Sequence, residues 1–175
     1  MALKVMALIL FATLLMGAKV KKTGSSSDNI TTEYVHNWKT FPTITGKRVT
    51  GGKLTIKPQK GQALVAVFLA SWCLPCQKLI NDIKALEKKF SKRHTRFVYI
   101  FAADTVADAQ GFRKAYNLGK NAMVANVKLM KEFNQPELPS IYVADRQTWM
   151  IWRAVNVKRE NLTELDKFLE YHTAN

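Results

Sequence analysis

The chain has 175 residues, 47% of them hydrophobic, and its 27 lysines and arginines against 13 acidic residues give a formal net charge of +14. This length and composition are sufficient for one domain with a substantial apolar core. No internal repeat, zinc-finger pattern or helix–turn–helix signature accompanies the charge, which argues against a nucleic-acid partner.

The N-terminal segment, residues 1–18, has the pattern of an export signal. Lys4 precedes an apolar run over residues 5–16, and small residues occupy positions 17 and 18. This arrangement predicts a signal peptide. Cleavage after Ala18 would leave Met16 where a small residue is preferred, so an uncleaved membrane anchor is the alternative, and a buried helix of the domain is a third. We expect an exported protein, periplasmic or anchored with its domain on the extracytoplasmic side.

Residues 19–36 are predicted to be a flexible linker, because they are rich in lysine, serine and threonine. The lysines that begin this segment are a contrary signal, since positive flanks prefer the cytoplasmic side of a membrane. The folded domain is predicted over residues 37–175.

Within that domain, apolar residues alternate between strand and helix periods. Residues 64–69 form an uninterrupted apolar run, typical of a central strand buried on both faces. After Cys76 the apolar residues recur every three or four positions, which predicts an amphipathic helix. The alternation predicts an α/β fold with a central mixed sheet and helices on both faces. The predicted elements are strands 54–56 and 64–69, the active-site helix that ends at about residue 91, strand 97–102, helix 107–116, strands 140–144 and 150–155, and helix 162–171, initiated by Asn161.

The two cysteines, Cys73 and Cys76, lie where the central strand meets this helix. The first sulfur is expected to face the unpaired N–H groups and the positive dipole end of the helix, which favours the thiolate. The second cysteine returns to the same helix face and can attack a mixed disulfide on the first. The spacing therefore predicts a redox pair that cycles between dithiol and disulfide.

Other uses of the two cysteines are less consistent with the sequence. A structural zinc site needs four ligands, and His36, His94 and His172 are too scattered to supply the missing half. Inert buried thiols are a further reading, and a purely stabilising disulfide is disfavoured because so short a loop constrains little of the unfolded chain. We expect no metal and no cofactor beyond the cysteine pair.

The segment between residues 38 and 171 resembles the thioredoxin fold, and within it the extracytoplasmic TlpA-like and ResA-like thiol-disulfide oxidoreductases. The specific part of the resemblance is the lead-in to the cysteine pair, and three later segments support it by their order. The four segments are KPQKGQALVAVFLASWCLPC, FVYIFAADTVADAQGFRKAYNLG, residues 129–134 before Leu-Pro-Ser, and SIYVADRQTWMIWRAV.

The resemblance implies roles for residues around the cysteines. Trp72 and Pro75 match the family motif, with the tryptophan covering the sulfurs on one side and the proline in the first helical turn. Pro139 stands where the family has a cis-proline facing the dithiol, which would expose the backbone of Leu138 for pairing with a substrate strand. The alternative is a trans-proline that only begins an edge strand.

The chain departs from this pattern at two positions. Members of the fold often bury a carboxylate six residues before or six residues after the first cysteine, and here Val67 and Leu79 occupy those positions. Deprotonation of Cys76 must then rely on water, the substrate thiol or an unidentified group. The direction of electron flow depends on the reduction potential and is not encoded in the intervening residues.

The resemblance favours a reductase of envelope proteins, with cytochrome c apoproteins, other envelope cysteines and metallochaperones as substrate classes and a membrane redox partner. We expect a monomer, because the region before Trp38 is too short and too rich in serine to form a dimerisation domain. A non-enzymatic binding module with a regulatory or vestigial dithiol is the alternative, and a disulfide oxidant is a weaker one. A peroxiredoxin is disfavoured because Ala66 and Ala70 replace the Pro and Thr of its Pro-x-x-x-Thr-x-x-Cys pattern. The basic surface is either a solvated face or a contact with anionic lipid headgroups or acidic partners.

Overall fold

The computed structural model describes residues 31–174, and its framework is a single eight-stranded mixed sheet. The strands are β1 (Thr31–Thr40), β2 (Ile44–Arg48), β3 (Lys53–Ile56), β4 (Ala63–Leu69), β5 (Thr95–Phe101), β6 (Ala122–Val124), β7 (Ser140–Ala144) and β8 (Trp149–Val155). The helices are α1 (Leu74–Phe90), α2 (Val106–Ala115), α3 (Val127–Glu132) and α4 (Arg159–Thr173). No helix in this part of the chain is long and apolar enough to cross a membrane.

The sheet has the strand order β1-β8-β7-β4-β5-β6-β2-β3. β4, β5 and β6 run parallel, whereas β7 pairs with β4 in the antiparallel direction. Buried side chains of α1, α2 and α4 share one apolar cluster, and those of α3 share the cluster on the other face. The prediction of a mixed sheet with helices on both faces is therefore confirmed.

The central strand β4 lies between β5 and β7, and all seven of its residues are buried. Alternate side chains enter the two clusters, with Val67 on the face of α1 and Phe68 on the face of α3. Burial on both faces explains why the strand is apolar throughout instead of alternating. The carboxyl end of β4 leads directly into the turn that carries Cys73.

The active-site helix α1 begins at Leu74 and ends at Phe90, one residue before the predicted end at about residue 91. Pro75 fits inside the first turn because that turn needs no intrahelical N–H partner. The predicted apolar stripe is buried and attaches the helix to the sheet through Leu79, Ile80, Ile83, Leu86 and Phe90.

Four short or polar elements are absent from the predictions, namely β1, β2, β6 and α3. β1 begins at Thr31, within the predicted linker, and pairs with β8.

The helix α4 begins at Arg159 instead of Leu162. Asn161 is its third residue, and its side-chain oxygen accepts the Lys158 N–H at 2.8 Å. The predicted signal peptide or anchor, residues 1–18, and linker residues 19–30 lie outside the described residues.

Gly46 in β2 allows the strand to approach β6 closely. A Cβ atom at this position would lie 2.5 Å from the carbonyl oxygen of Val124 and 2.9 Å from the sulfur of Met123. We predict that Gly46→Ala lowers the free energy of unfolding by about 1–3 kcal/mol, the usual cost of overpacking. Urea denaturation measures this change.

Gly111 provides the matched control, because it lies inside α2 and a Cβ atom there meets nothing within 4 Å. Gly111→Ala should stabilise the protein by about 0.5–1 kcal/mol, the helix-interior difference between the two residues. Equal effects of the two substitutions would contradict the close approach of β2 and β6.

Tyr99 on β5 is fully buried and its hydroxyl donates to a carboxylate oxygen of Glu87 at 2.5 Å. Burial, reinforced by the Glu87 charge, raises the pKa of Tyr99 far above its ordinary value. In the unfolded chain this phenol loses its proton near pH 10, whereas in the folded protein it keeps the proton to a higher pH. The free energy of unfolding is therefore unaffected by this group below about pH 10 and decreases as the pH rises above it.

Above pH 10, Tyr99 should make the wild-type free energy of unfolding fall by about 1.4 kcal/mol per pH unit. We predict that this contribution is absent in Tyr99→Phe. Denaturant titrations between neutral pH and pH 11 measure the slope. Tyr171→Phe, at a tyrosine that is 82% exposed, should keep the wild-type slope. If Tyr99→Phe keeps the wild-type slope, the Tyr99 phenol does not keep its proton in the folded protein above pH 10.

Candidate active site

Cys73 and Cys76 form a disulfide at the junction of β4 and α1, with an S–S distance of 2.10 Å and Cα atoms 5.2 Å apart. The exposed fractions are 5% for Cys73 and 1% for Cys76. A nucleophile from solvent therefore reaches Cys73 more readily than Cys76. The pair occupies the position that the sequence predicts.

Cys73 is the N-cap of α1, and its sulfur accepts the backbone N–H of Cys76 at 3.2 Å. This bond satisfies one of the free N–H groups of the first turn. The first turn contains no acidic residue, so the positive end of the helix dipole is not neutralised there. Once the disulfide is reduced, the same groups stabilise a thiolate on Cys73.

A groove of about 570 Å³ opens beside Cys73. It brings together four of the predicted site residues, with further residues from the loops after β5 and before β7. Trp72 and Leu74 are 63% and 65% exposed, so the tryptophan lies at the rim of the groove. The groove is lined by Trp72, Cys73, Leu74, Pro75, Ala102, Ala103, Met130, Pro136, Glu137 and Leu138.

Pro139 lies directly after the groove residue Leu138, and the peptide bond between them is cis. The predicted cis-proline is therefore present. Pro139 is buried, and its carbonyl accepts the N–H of Val157 at 2.8 Å. This bond attaches Pro139 to the loop between β8 and α4.

The region beneath the disulfide is apolar. Val67 and Leu79, at the positions where the resemblance places a carboxylate, have exposed fractions of 0% and 8%. Tyr99 pairs with Val67 across the sheet, but its hydroxyl bonds to Glu87, eleven residues after Cys76 on α1. Eleven residues span about 16 Å of helix, so this carboxylate is remote from the sulfurs.

Sequence reasoning missed a hydrogen-bonded trio beside the cysteines, formed by Ser71, Gln77 and Asp104. The carboxylate of Asp104 accepts the Ser71 backbone N–H at 2.8 Å and the Ser71 hydroxyl at 2.6 Å. The side-chain amide of Gln77 donates to the Ser71 carbonyl at 2.8 Å. One signal was available, because Asp104 follows the carboxyl end of β5, which is parallel to β4, and such ends meet at one sheet edge.

The histidines whose side chains the structure describes are His94 and His172. Among the side chains of residues 39–174, no three or more of His, Cys, Asp or Glu stand together as metal ligands. His172 packs on Phe168 with ring centroids 4.2 Å apart, and burial lowers its pKa. His94 lies at the turn before β5, with a φ of 52°.

Comparison with known proteins agrees with this geometry. The model of the AhpC/TSA family matches residues 39–160. The "Thiol-disulfide oxidoreductase ResA" of Bacillus cereus strain ZK / E33L is 21% identical over 127 residues, 72% of this chain and 73% of that protein. The protein of the same name from Bacillus thuringiensis subsp. konkukian is 24% identical over 134 residues, 75% of this chain and 76% of that protein.

Solved structures share the fold. A thiol:disulfide interchange protein of the thioredoxin family from Chlorobium tepidum TLS has a TM-score of 0.68 and 21% identity, covering 80% of this chain and 99% of that one. A putative thiol:disulfide interchange protein DsbE from Chlorobium tepidum has a TM-score of 0.71 and 15% identity, covering 78% of this chain and 97% of that one. The predicted thioredoxin-like fold is confirmed.

We predict that iodoacetamide alkylates Cys73 before Cys76 in the reduced protein. Cys73 is the more exposed cysteine, and its thiolate is stabilised by the first turn of α1. Mass spectrometry of peptides from briefly quenched samples measures the order. Cys73→Ser and Cys76→Ser variants identify the two products, and faster modification of Cys76 would refute the assignment of the attacking thiol.

Proposed function

The chain belongs to the AhpC/TSA family, and we propose on this premise that it is a thiol-disulfide oxidoreductase that reduces disulfides of proteins outside the cytoplasm. The observation that carries the proposal is the Cys73–Cys76 disulfide at the N-terminus of α1, with Cys73 in the wall of an open groove. The names of the ResA relatives support the same activity.

In the proposed reaction the Cys73 thiolate attacks one sulfur of a substrate disulfide. A bond forms between Cys73 and that sulfur, and the other substrate sulfur leaves as a thiolate that takes a proton. Cys76 then loses its proton and attacks the Cys73 sulfur, which releases the second substrate thiol and leaves the Cys73–Cys76 disulfide. Two electrons pass from the protein to the substrate, and an external dithiol must reduce the pair again.

The groove supplies the substrate site in this proposal. Leu138 and Cys73 both line it, and an extended substrate segment would pair with the backbone of Leu138. The apolar lining from Trp72, Leu74 and Met130 then covers the side chains beside the substrate cysteine. Water or the departing substrate thiolate accepts the Cys76 proton, since Val67 and Leu79 carry no carboxylate.

The cellular setting is the finer part of the proposal. Residues 1–18 would export the domain, and a membrane protein would return electrons to it. Envelope proteins with paired cysteines are the proposed substrates, and apoproteins of cytochrome c are one class among them. The resemblance to ResA-like proteins supports this setting.

The second candidate is a binding module in which the dithiol has no catalytic role. It is favoured by the apolar surroundings of Cys76, because an enzyme of this type gains from a nearby proton acceptor. A peroxidase is disfavoured, because Ala66 and Ala70 stand at the positions of the proline and threonine that a peroxiredoxin requires.

We predict that Cys76→Ser accumulates a mixed disulfide through Cys73, because the residue that resolves this intermediate is missing. Insulin incubated with the reduced variant should give a covalent adduct on a non-reducing gel. Wild type should instead reduce insulin with dithiothreitol as electron source, which the turbidity of the released B chain measures.

Cys73→Ser is the matched control, because it retains one cysteine but lacks the attacking one. It should form no adduct, and both single variants should reduce insulin at the rate of dithiothreitol alone. Turnover by either single variant at the wild-type rate would exclude the proposed reaction. Unchanged function of the double serine variant in cells would favour the binding module instead.

A further inference from the structure

The loop before Cys73 is held by a side chain from a different part of the chain. Asp104 lies between β5 and α2 and uses both carboxylate oxygens on Ser71, one on its backbone N–H and one on its hydroxyl. Gln77, in the first turns of α1, donates to the carbonyl of the same serine. Ser71 is thus fixed from both sides of the active-site turn.

Backbone hydrogen bonds also connect the loop after β4 with the loop after β5. The N–H of Ala102 donates to the carbonyl of Leu69 at 2.8 Å. Within the loop after β4, the N–H of Cys73 donates to the Ala70 carbonyl at 3.2 Å. Ala102 and its neighbour Ala103 line the groove beside Cys73. The position of the attacking sulfur therefore depends on the loop that carries Asp104.

The carboxylate is also close enough to affect the charge on Cys73. Ser71 precedes Cys73 by two residues, which span at most about 7 Å of chain. The Ser71 donors are neutral groups, so these bonds do not cancel the negative charge of Asp104. The groove lining includes one acid, Glu137, and the first turn of α1 includes none.

We propose that Asp104 is a positioning residue that also sets the redox equilibrium of the cysteine pair. Through Ser71 it holds the turn in which Cys73 caps α1, and its negative charge opposes the thiolate that the helix N-terminus favours. The reduced state is thereby less stable relative to the disulfide, which makes the dithiol a stronger electron donor. This inference rests on the proposed function and refines it toward reduction.

Four variants separate the charge from the hydrogen bonds. Asp104→Asn removes the charge and keeps one oxygen acceptor, and Asp104→Ser is a second neutral variant in case the first fails to fold. Asp104→Glu keeps the negative charge of the wild type. Ser71→Ala keeps both the charge and the backbone N–H bond while it deletes the hydroxyl bond. Far-UV circular dichroism of the oxidised proteins checks that each variant folds.

The measurement is the equilibrium constant for reduction by dithiothreitol at neutral pH, read from free thiols after acid quenching. We expect the neutral variants to raise this constant about two- to threefold at low salt, or about 9–14 mV at 29.6 mV per tenfold change. Asp104→Glu and Ser71→Ala should stay close to wild type. The difference should shrink in about 1 M KCl, where the Debye length is only about 3 Å.

An unchanged constant in the folded neutral variants would overturn the proposal. It would be overturned equally by a shift that persists at high salt and is shared by Ser71→Ala, since that pattern belongs to a purely structural role. The equilibrium with dithiothreitol involves no protein substrate. Failure of insulin reduction would therefore refute the proposed function without changing this readout.

Discussion

The capping of α1 by Cys73 is the interaction on which the rest of the site depends. The sulfur accepts the Cys76 N–H because β4 ends at Leu69 and the loop that follows places Cys73 directly before the start of α1. The same bond that caps the helix in the disulfide form stabilises the thiolate in the dithiol form. Structural and chemical roles therefore coincide in a single sulfur atom.

An exposed cluster of ion pairs lies at the end of α1 that is remote from the cysteines. At the far end of α1, Lys89 contacts Asp166 at 2.6 Å and Glu170 at 2.9 Å. Hydrogen bonds from Lys89 and from Arg93 lower the pKa of Glu170. Such exposed pairs add little stability. At the near end, the side chains clustered around Cys76 are apolar, and the groups that we infer to act on the sulfurs are the helix N-terminus and the carboxylate of Asp104.

Long apolar patterns predicted the centre of the fold well, because burial on both faces leaves an unmistakable run such as β4. The cysteine spacing and the Leu138-Pro139 segment were likewise visible. The elements missed were short or polar: β6 has three residues, and β1 begins among threonines and owes its place to pairing with β8. The contact of Asp104 with Ser71 spans 33 positions and depends on the parallel pairing of β4 with β5, which no local pattern encodes.

The central claim is that the Cys73–Cys76 pair donates electrons to protein disulfides, and its reduction potential tests this most directly. The domain is equilibrated with dithiothreitol or glutathione buffers, and free thiols are counted. We predict a value near that of thioredoxin, about −270 mV, which a donor requires. A value of about −120 mV, typical of a strong disulfide oxidant, would contradict the account and reverse the direction of electron flow.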